Sequence, residues 1–122
     1  MKAVIAMNNI GMIGLNSGLP WKPNKEDFNH FKELTKGQTL LVGFNTFKTL
    51  PPLKGRTIIL DSPDVDLSII DWCIGGKYTY EKYAHLFTEL HVSHIDDNSI
   101  GDTLFPNFSN LNPNCTIFNY YF

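Results

Sequence analysis

The stretch NKEDFNHFKELTKGQTLLVG, residues 24–43, predicts a helix followed by a buried strand. Asn24 belongs to the residue types that cap helix N-termini, and Gly37 ends the helix after about Lys36. Residues 39–42 are a short apolar run of the kind that forms a strand covered on both faces. A helix that leads directly into a buried strand is the repeating unit of α/β proteins.

The same alternation continues on both sides of this stretch. Further strands are predicted at residues 3–6, 56–60, 69–74, 89–95 and 115–121, and further helices at residues 45–50 and 79–86. Residues 8–23 are predicted to form a loop punctuated by glycine and proline. The sequence therefore indicates a single α/β domain over residues 1–122, with a mostly parallel central sheet and flanking helices. Ligands of such sheets bind beyond the carboxyl ends of the strands.

The composition argues against several classes of function. The 122 residues carry a formal net charge of −2, with 43 % hydrophobic and 18 % charged residues. No block of Lys and Arg indicates a nucleic-acid partner, and no apolar run approaches the roughly 20 residues that span a bilayer. Cys73 and Cys115 lie far apart and belong to no metal motif. We therefore expect reduced thiols in a cytoplasmic protein without a metal site.

The predicted helix 24–36 carries one carboxylate in an unusual position. At about 100° per residue, Asp27, Phe31 and Leu34 lie on one apolar stripe, where Asp27 is the only charge. Burying an unpaired carboxylate is costly, so such a residue usually has a partner or a chemical task. The alternative is a carboxylate that stays in water at the positive end of the helix dipole. The helix alone leaves both interpretations open.

A series of short motifs occurs in an order and spacing that resemble the dihydrofolate reductase family over about residues 1–106. The motifs are Ile13-Gly14, Gly18-Leu19-Pro20-Trp21, Asp27-Phe28…Phe31-Lys32, Gly43…Thr46-Phe47, Leu53-Lys54-Gly55-Arg56, Ile74-Gly75-Gly76…Tyr80, Ser93-His94-Ile95 and Gly101-Asp102-Thr103…Phe105-Pro106. The resemblance implies an enzyme that passes hydride from the nicotinamide of NADPH, or of NADH, to a folate, whose N5 takes a proton through water. A same-fold reductase of another heterocycle, such as a ribosylaminopyrimidine, and a non-catalytic binding or structural protein that has kept the fold remain as alternatives.

On the substrate side, the resemblance implies that Asp27 holds the flat, amidine-like edge of the pterin through paired hydrogen bonds, assisted by the hydroxyl of Ser93. An apolar setting would raise the pKa of Asp27 and suit it to proton-linked chemistry. Trp21 would help to position water, and Arg56 would bind the glutamate α-carboxylate. The walls around the ring and the benzoyl portion would be Ile5, Phe28, Phe31, Leu50 and Leu53. Without the family, the apolar residues would be core, Ser93 an ordinary strand serine and Arg56 a surface charge.

On the cofactor side, the resemblance implies two helix starts, after Gly43 and after Gly76, that supply backbone N–H groups to the pyrophosphate. Backbone groups of Ala6 and Ile13 would bind the carboxamide, and Tyr80 would lie beside the nicotinamide. In the family the Gly75-Gly76 peptide is cis. The other cofactor positions are Gly14, Asn45, Thr46, Leu60, Ser62, Ile74, Lys77, Tyr78 and Thr79. Without the family, Tyr80 would be a core aromatic and the glycine pair a turn.

The chain also departs from the family pattern. Residues 62–73 are too few for the crossover helix that the family has there, so we expect a bare loop. After Pro106 there is room for one strand where the family has a pair, which trims one edge of the sheet. Phe44 and Tyr78 stand where many relatives place arginines that hold the 2′-phosphate. Asp61 would repel that phosphate or accept from a free ribose hydroxyl, so the preference between NADPH and NADH stays open.

Overall fold

The computed structural model describes all 122 residues, and six strands form one sheet in which every pairing is parallel. In chain order the elements are β1 (Lys2–Asn8), β2 (Met12–Gly14), α1 (Lys25–Thr35), β3 (Thr39–Val42), α2 (Phe44–Thr49), β4 (Thr57–Leu60), β5 (Trp72–Cys73), α3 (Lys77–Tyr83), β6 (Glu89–Ile95), β7 (Thr103–Leu104) and β8 (Thr116–Tyr121). Strands β2 and β7 form a separate antiparallel pair.

The strand order in the main sheet is β4-β3-β5-β1-β6-β8. Strand β1 lies inside the sheet, with Ala3 opposite Cys73 of β5 on one side and Leu90 of β6 on the other. Because all six strands run the same way, their carboxyl ends meet at one edge, where α/β proteins bind their ligands. The predicted α/β fold with a mostly parallel sheet is confirmed.

Alternate residues of each strand point to opposite faces of the sheet, so apolar strands need cover on both faces, and helices provide it. Helix α3 and the turn that follows it cover one face, where Tyr80, Tyr83 and Ala84 join a core formed by Ala3, Ile5, Leu41, Ile70, Cys73, Phe87, Leu90 and Val92. Helix α1 covers the other face, where Phe31 and Leu34 pack on Val4, Leu40, Val42, Trp72 and Ile74. The strands are therefore held on both sides, so the edge that their carboxyl ends form has a fixed shape.

The helix predicted from residues 24–43 forms as expected. The side-chain oxygen of Asn24 accepts a hydrogen bond from the backbone N–H of Asp27 at 3.0 Å, which caps the first turn of α1. The helix ends at Thr35, one residue before the predicted limit, and Gly37 follows with a φ of 72°. This cap fixes where Asp27 stands relative to the sheet.

Some predicted elements were wrong in extent. The strand predicted at residues 69–74 is only Trp72–Cys73, because Asp66 caps a 3₁₀ turn at Leu67–Ile69 by accepting from the N–H of Ser68. The helix predicted at residues 79–86 begins at Lys77 and turns into a 3₁₀ turn at Ala84–Leu86. The helix predicted at residues 45–50 is shifted by one residue. The predicted loop 8–23 contains the short strand β2. Its partner β7 is distant in sequence, so no local pattern of residues predicts this strand.

The expected losses relative to the family are present. The crossover from β4 to β5 contains the 3₁₀ turn and no α-helix, and β8 is the one strand after Pro106. None of the three helices has the length and apolar content needed to cross a bilayer.

Candidate active site

A cleft of about 1320 Å³ lies at the carboxyl edge of the sheet, between helix α1 and the starts of α2 and α3. Small-molecule pockets usually measure roughly 300–1,000 Å³, so this cleft has room for two ligands side by side. The cleft brings together the predicted site residues from β1, α1, α2, α3 and β6. Of the predicted set, Arg56, Leu60 and Ser62 lie outside its lining.

The carboxyl group of Asp27 projects from the first turn of α1 into the cleft. Partial burial raises its pKa above the ordinary value, while hydrogen bonding by Ser93 and the charge of His30 oppose that rise. Ser93 is only 2 % exposed and stands on β6, next to the central strand β1. The half-buried position excludes the alternative of a carboxylate left fully in water at the helix start.

Trp21 lines the same cleft as this carboxyl group. Its side chain is 7 % exposed, and its indole N–H is buried without a hydrogen-bond partner in the protein. Buried N–H groups almost always have a partner, so this donor is suited to bind water or a ligand atom in the cleft.

Apolar side chains form the walls on the α1 side of the cleft. The rings of Phe28 and Phe31, one turn apart on α1, have centroids 6.3 Å apart. Leu50 and Leu53, in the segment after α2, and Ile5 on β1 line the same cleft. A flat ring between these walls would have its polar edge at Asp27 and its faces against hydrocarbon.

The guanidinium of Arg56 is held by three acceptors next to this wall. Its Nε donates to the Thr35 hydroxyl at 3.2 Å, Nη1 donates to the carbonyl of Lys54, and Nη2 donates to the carbonyl of Lys32. A guanidinium has five N–H donors, so two remain for an anion. Neutral acceptors fix the orientation of the group and leave its charge uncompensated.

The other half of the cleft is formed where α2 and α3 begin. The N–H of Gly43 donates to the carbonyl of Gly75 at 2.6 Å, and the Gly75-Gly76 peptide is cis. A Cβ at Gly43 would lie 2.5 Å from the Thr79 hydroxyl, and a Cβ at Gly76 would lie 2.7 Å from the Thr46 hydroxyl. Only glycine fits at these two points, so the two helix starts reach their closest approach there.

Tyr80 fixes this junction to the sheet. Its hydroxyl donates to the carbonyl of Val4 at 2.6 Å, and its ring lies 3.2 Å from where a Cβ on Gly75 would stand. The side chain is 5 % exposed, yet it also contributes to the cleft surface. Tyr80 is therefore both a core aromatic and a wall of the cleft.

The loop 15–18 borders the cleft through contacts that the sequence did not reveal. Asn16 and Ser17 have φ angles of 51° and 69°, and the Asn16 N–H donates to the carboxylate of Asp102 at 3.0 Å. The hydroxyl of Thr49 donates to the carbonyl of Ser17 at 2.5 Å. Asp102 belongs to a recognised motif, but only the fold places it against this loop.

At the far end of the cofactor half, the projecting side chains are aromatic. Phe44 is 63 % exposed and Tyr78 is 78 % exposed, and both line the cleft. The ammonium of Lys48 lies 4.6 Å from the centroid of the Phe44 ring. Asp61, expected to be a free acceptor, has both oxygens engaged, one by the Lys82 ammonium at 3.2 Å and one by the Tyr83 hydroxyl at 2.7 Å.

This arrangement is typical of α/β enzymes that bind a nucleotide and a small molecule side by side at the carboxyl edge of a parallel sheet. The family model for dihydrofolate reductase matches residues 1–72. The chain belongs to the dihydrofolate reductase family.

Individual relatives agree with this assignment over most of the chain. The chain is 27 % identical to dihydrofolate reductase type 8 of Escherichia coli over 84 % of its own length and 78 % of the relative. It is 30 % identical to the dihydrofolate reductase of Mycobacterium leprae, covering 75 % of this chain and 69 % of that one. A solved structure of dihydrofolate reductase from Enterococcus faecalis, complexed with NADP(H) and RAB-propyl, superposes with a TM-score of 0.74. The two chains are 27 % identical, with 88 % of this chain and 77 % of the other covered.

Proposed function

We propose that this chain is a dihydrofolate reductase that uses NADPH to reduce 7,8-dihydrofolate to tetrahydrofolate. The proposal rests on two features of one cleft. The Asp27 carboxyl is half-buried on an apolar wall, and the starts of α2 and α3 lie in close contact at Gly43 and Gly76. A carboxyl group with a raised pKa serves proton-linked chemistry, and the helix starts suit a pyrophosphate.

In the substrate half, Asp27 accepts hydrogen bonds from the amidine-like edge of the pterin, and Ser93 orients the carboxyl group from β6. Phe28 and Phe31 contact one side of the folate, with Leu50 and Leu53 on the other and Ile5 at the floor. The two free N–H groups of the Arg56 guanidinium bind the glutamate α-carboxylate bidentately, just outside the residues that line the cleft. These contacts place the pterin before any chemistry occurs.

In the cofactor half, the residues present fit a dinucleotide. The backbone N–H groups at the starts of α2 and α3, at Asn45, Thr46, Lys77 and Thr79, lie where a pyrophosphate would bind. Ala6, Ile13 and Gly14, on β1 and β2, would hold the nicotinamide carboxamide, and Tyr80 and Ile74 would contact the nicotinamide ring; all five residues line the cleft. When bound, the reduced nicotinamide supplies the hydride. The chain itself orients the two rings and keeps water from the space between them.

The proton that accompanies the hydride depends on Asp27 and Trp21. Because burial raises the pKa of Asp27, the carboxyl group keeps its proton to higher pH than an exposed aspartate. The unpartnered indole N–H of Trp21 is available to donate to a water molecule in the cleft. Such a water would carry the proton to N5 of the pterin.

A steady-state assay that follows loss of reduced-nicotinamide absorbance with dihydrofolate tests the proposal. We expect turnover with NADPH in the parent chain and little turnover in Asp27→Asn, whereas Glu26→Gln on the exposed face of the same helix serves as a matched control. No turnover with dihydrofolate, despite binding of NADPH, would contradict the proposal and favour another heterocycle as the substrate. Absence of NADPH binding would favour a non-catalytic protein that has kept the fold.

The reaction needs only small-molecule partners, a folate and a nicotinamide dinucleotide. We also propose a cytoplasmic location, where Cys73 and Cys115, which form no disulfide, would stay reduced.

A further inference from the structure

A group of titratable and aromatic side chains lies behind Asp27, between helix α1 and the edge strand β8. We call it the His30 cluster, and it consists of His30 on α1, His91 on β6 and Tyr120 on β8. His30 stands one turn after Asp27, so the two side chains lie on the same side of the helix. The His30 ring packs on Tyr120, with centroids 4.1 Å apart, and on Phe122, with centroids 5.4 Å apart.

Most polar atoms of the His30 cluster satisfy one another. The Tyr120 hydroxyl and His91 Nδ1 share a hydrogen bond of 2.8 Å, and His91 Nε2 lies 2.8 Å from a Glu89 carboxylate oxygen. His30 is the exception, because its Nε2 is buried and has no hydrogen-bond partner. The groups that face His30 are therefore Asp27 from its own helix, His91 from β6 and Tyr120 from β8, with Glu89 already bound to His91.

A half-buried imidazole whose Nε2 is buried without a partner resists protonation, because an added N–H there would have no acceptor. Burial accordingly lowers the pKa of His30, the charge of Asp27 raises it, and His91 lowers it. Asp27 is thus the group that can stabilise a charged His30. By the same interaction, a charged His30 stabilises the ionised Asp27.

We propose that His30 is a positioning residue for the reduction: when the imidazole one turn along α1 is charged, it stabilises the ionised Asp27 carboxyl, so that the two side chains titrate as one coupled unit. The proposal deepens the proposed function, because it takes Asp27 to be the acid that serves the reduction. His30 touches neither ligand, and it acts only through Asp27.

Titration of the His30 imidazole by NMR tests the coupling without any substrate. In Asp27→Asn the carboxylate charge is lost, so the His30 midpoint should fall by about 0.5–1 in pH, the size expected for unit charges one helical turn apart in a partly solvated site. His94 is a matched internal control, because it stacks on Tyr121 at 4.7 Å and bonds to Asn119 in the same sheet. An unchanged His30 midpoint would overturn the proposal.

The pH profile of kcat/KM tests the consequence for catalysis. Because the reduction takes up a proton, turnover falls as pH rises past the apparent pKa of Asp27. In His30→Gln, which cannot become a cation, the carboxyl group should keep its proton longer, so this fall should move to higher pH by about the same 0.5–1. His94→Gln should leave the profile in place.

The outcomes separate the two proposals. A uniform loss of rate in His30→Gln, with no movement of the profile, would assign His30 a purely structural role and overturn its coupling to Asp27. A parent chain without dihydrofolate reduction would refute the proposed function, while the NMR titration would still decide the coupling. The titration also decides it if His30→Gln does not fold, because Asp27→Asn leaves the His30 cluster intact.

Discussion

Around Asp27 the polar side chains of the cleft are withdrawn from water, whereas at the starts of α2 and α3 aromatic side chains project into it. Asp27 is half-buried and Ser93 is 2 % exposed. Phe44 and Tyr78, at the other end, are 63 % and 78 % exposed. Under the proposed function the reacting atoms lie at the Asp27 end and require fixed geometry, since small displacements cost rate. The end at Phe44 and Tyr78 would hold the adenosine and add only binding free energy, so its side chains can change with less effect on the chemistry.

The two trimmed parts of the chain lie on opposite sides of the sheet. The crossover from β4 to β5, which contains no α-helix, is on the side away from Asp27. The sheet ends at β8, which pairs with β6 and so lies next to Ser93, and the loss of the second strand after Pro106 falls on this side. Strands β1 and β6 and helix α1 around Asp27 keep their pairing and packing. The predictions below change one half of the cleft at a time.

Replacement of Asp27 by Asn should have the largest effect on turnover. Asn still accepts one hydrogen bond but cannot pair with a protonated pterin or take part in proton transfer. Loss of a general acid or base usually costs about 10²–10⁴-fold in rate, and we expect a loss of kcat in this range near neutral pH with NADPH binding retained. Steady-state kinetics and a separate NADPH titration measure the two quantities.

Asp27→Asn should fold at least as stably as the parent chain. The folded-state pKa of Asp27 lies above its unfolded value, so the unfolded chain gives up this proton more easily, and stability falls as pH rises through that range. Asn has no proton to lose, so the free energy of unfolding of Asp27→Asn at neutral pH should equal or exceed that of the parent. A marked destabilisation would mean that lost folding explains the lost rate.

Arg56→Leu should weaken the binding of folates that carry a glutamate tail. A charge-assisted hydrogen bond contributes about 1.5–3 kcal/mol, which corresponds to roughly a 10- to 150-fold loss of kcat/KM. Pterins without the tail should be affected much less, because they have no carboxylate to lose. Lys54→Gln, which removes an exposed charge from the same loop, is the control. Equal losses for tailed and untailed substrates would assign Arg56 to the structure, through its bonds to α1.

Gly43→Ala should show how tightly the cofactor half is packed. The φ of Gly43 is −77°, which alanine adopts without strain, so the effect comes from the contact of the new Cβ with the Thr79 hydroxyl at 2.5 Å. Overpacking of this kind costs about 1–3 kcal/mol of unfolding free energy, and NADPH binding should weaken with it. Adding Thr79→Ala should restore part of the loss. Gly18→Ala, with its nearest contact at 3.7 Å, should have little effect.

The parts of the fold that the sequence predicts are those set by local signals. The Asn24 cap and the apolar stripe with Asp27 lie within a few residues of each other, and both are present in α1. Strands β1 and β3 were predicted because residues 3–6 and 39–42 are short apolar runs. Their burial on both faces, by α3 and α1, agrees with those runs.

The remaining contacts join residues that are distant in sequence, so no local pattern reveals them. The hydrogen bond from the Asn16 N–H to the Asp102 carboxylate joins the first loop to the segment before β7. Asn16 and Ser17 have positive φ angles there, which their residue types do not predict. Asp61 was expected to repel the 2′-phosphate or to accept from a ribose hydroxyl, and nothing in the sequence indicated that Lys82 and Tyr83 on α3 engage both of its oxygens. His30 packs on Tyr120 of β8, which is distant in sequence, and its Nε2 is buried without a partner, so the sequence around His30 does not predict this environment.

The smallest expected effect is on the choice of dinucleotide, where we expect the chain to favour NADPH over NADH by about tenfold or less. Phe44 and Tyr78 replace two cations that many relatives use for the 2′-phosphate, and one charge-assisted hydrogen bond is worth about tenfold or more in affinity. Asp61 opposes the phosphate less than a free carboxylate would, because Lys82 neutralises part of its charge at 3.2 Å. Lys48, held over the Phe44 ring, is the cation at that helix start.

Paired titrations with NADPH and NADH at one moderate salt concentration measure this preference, since salt screens a phosphate contact. Asp61→Ser removes a negative charge and frees Lys82, so it should shift the ratio of dissociation constants towards NADPH. Asp64→Ser makes the same change at an exposed residue of the following loop and should leave the ratio unchanged. Lys48→Gln should reduce the preference if its ammonium reaches the phosphate. A parent chain that already favours NADPH by several orders of magnitude would contradict the prediction, because it would mean that lysines fully replace the arginines at this end of the cleft.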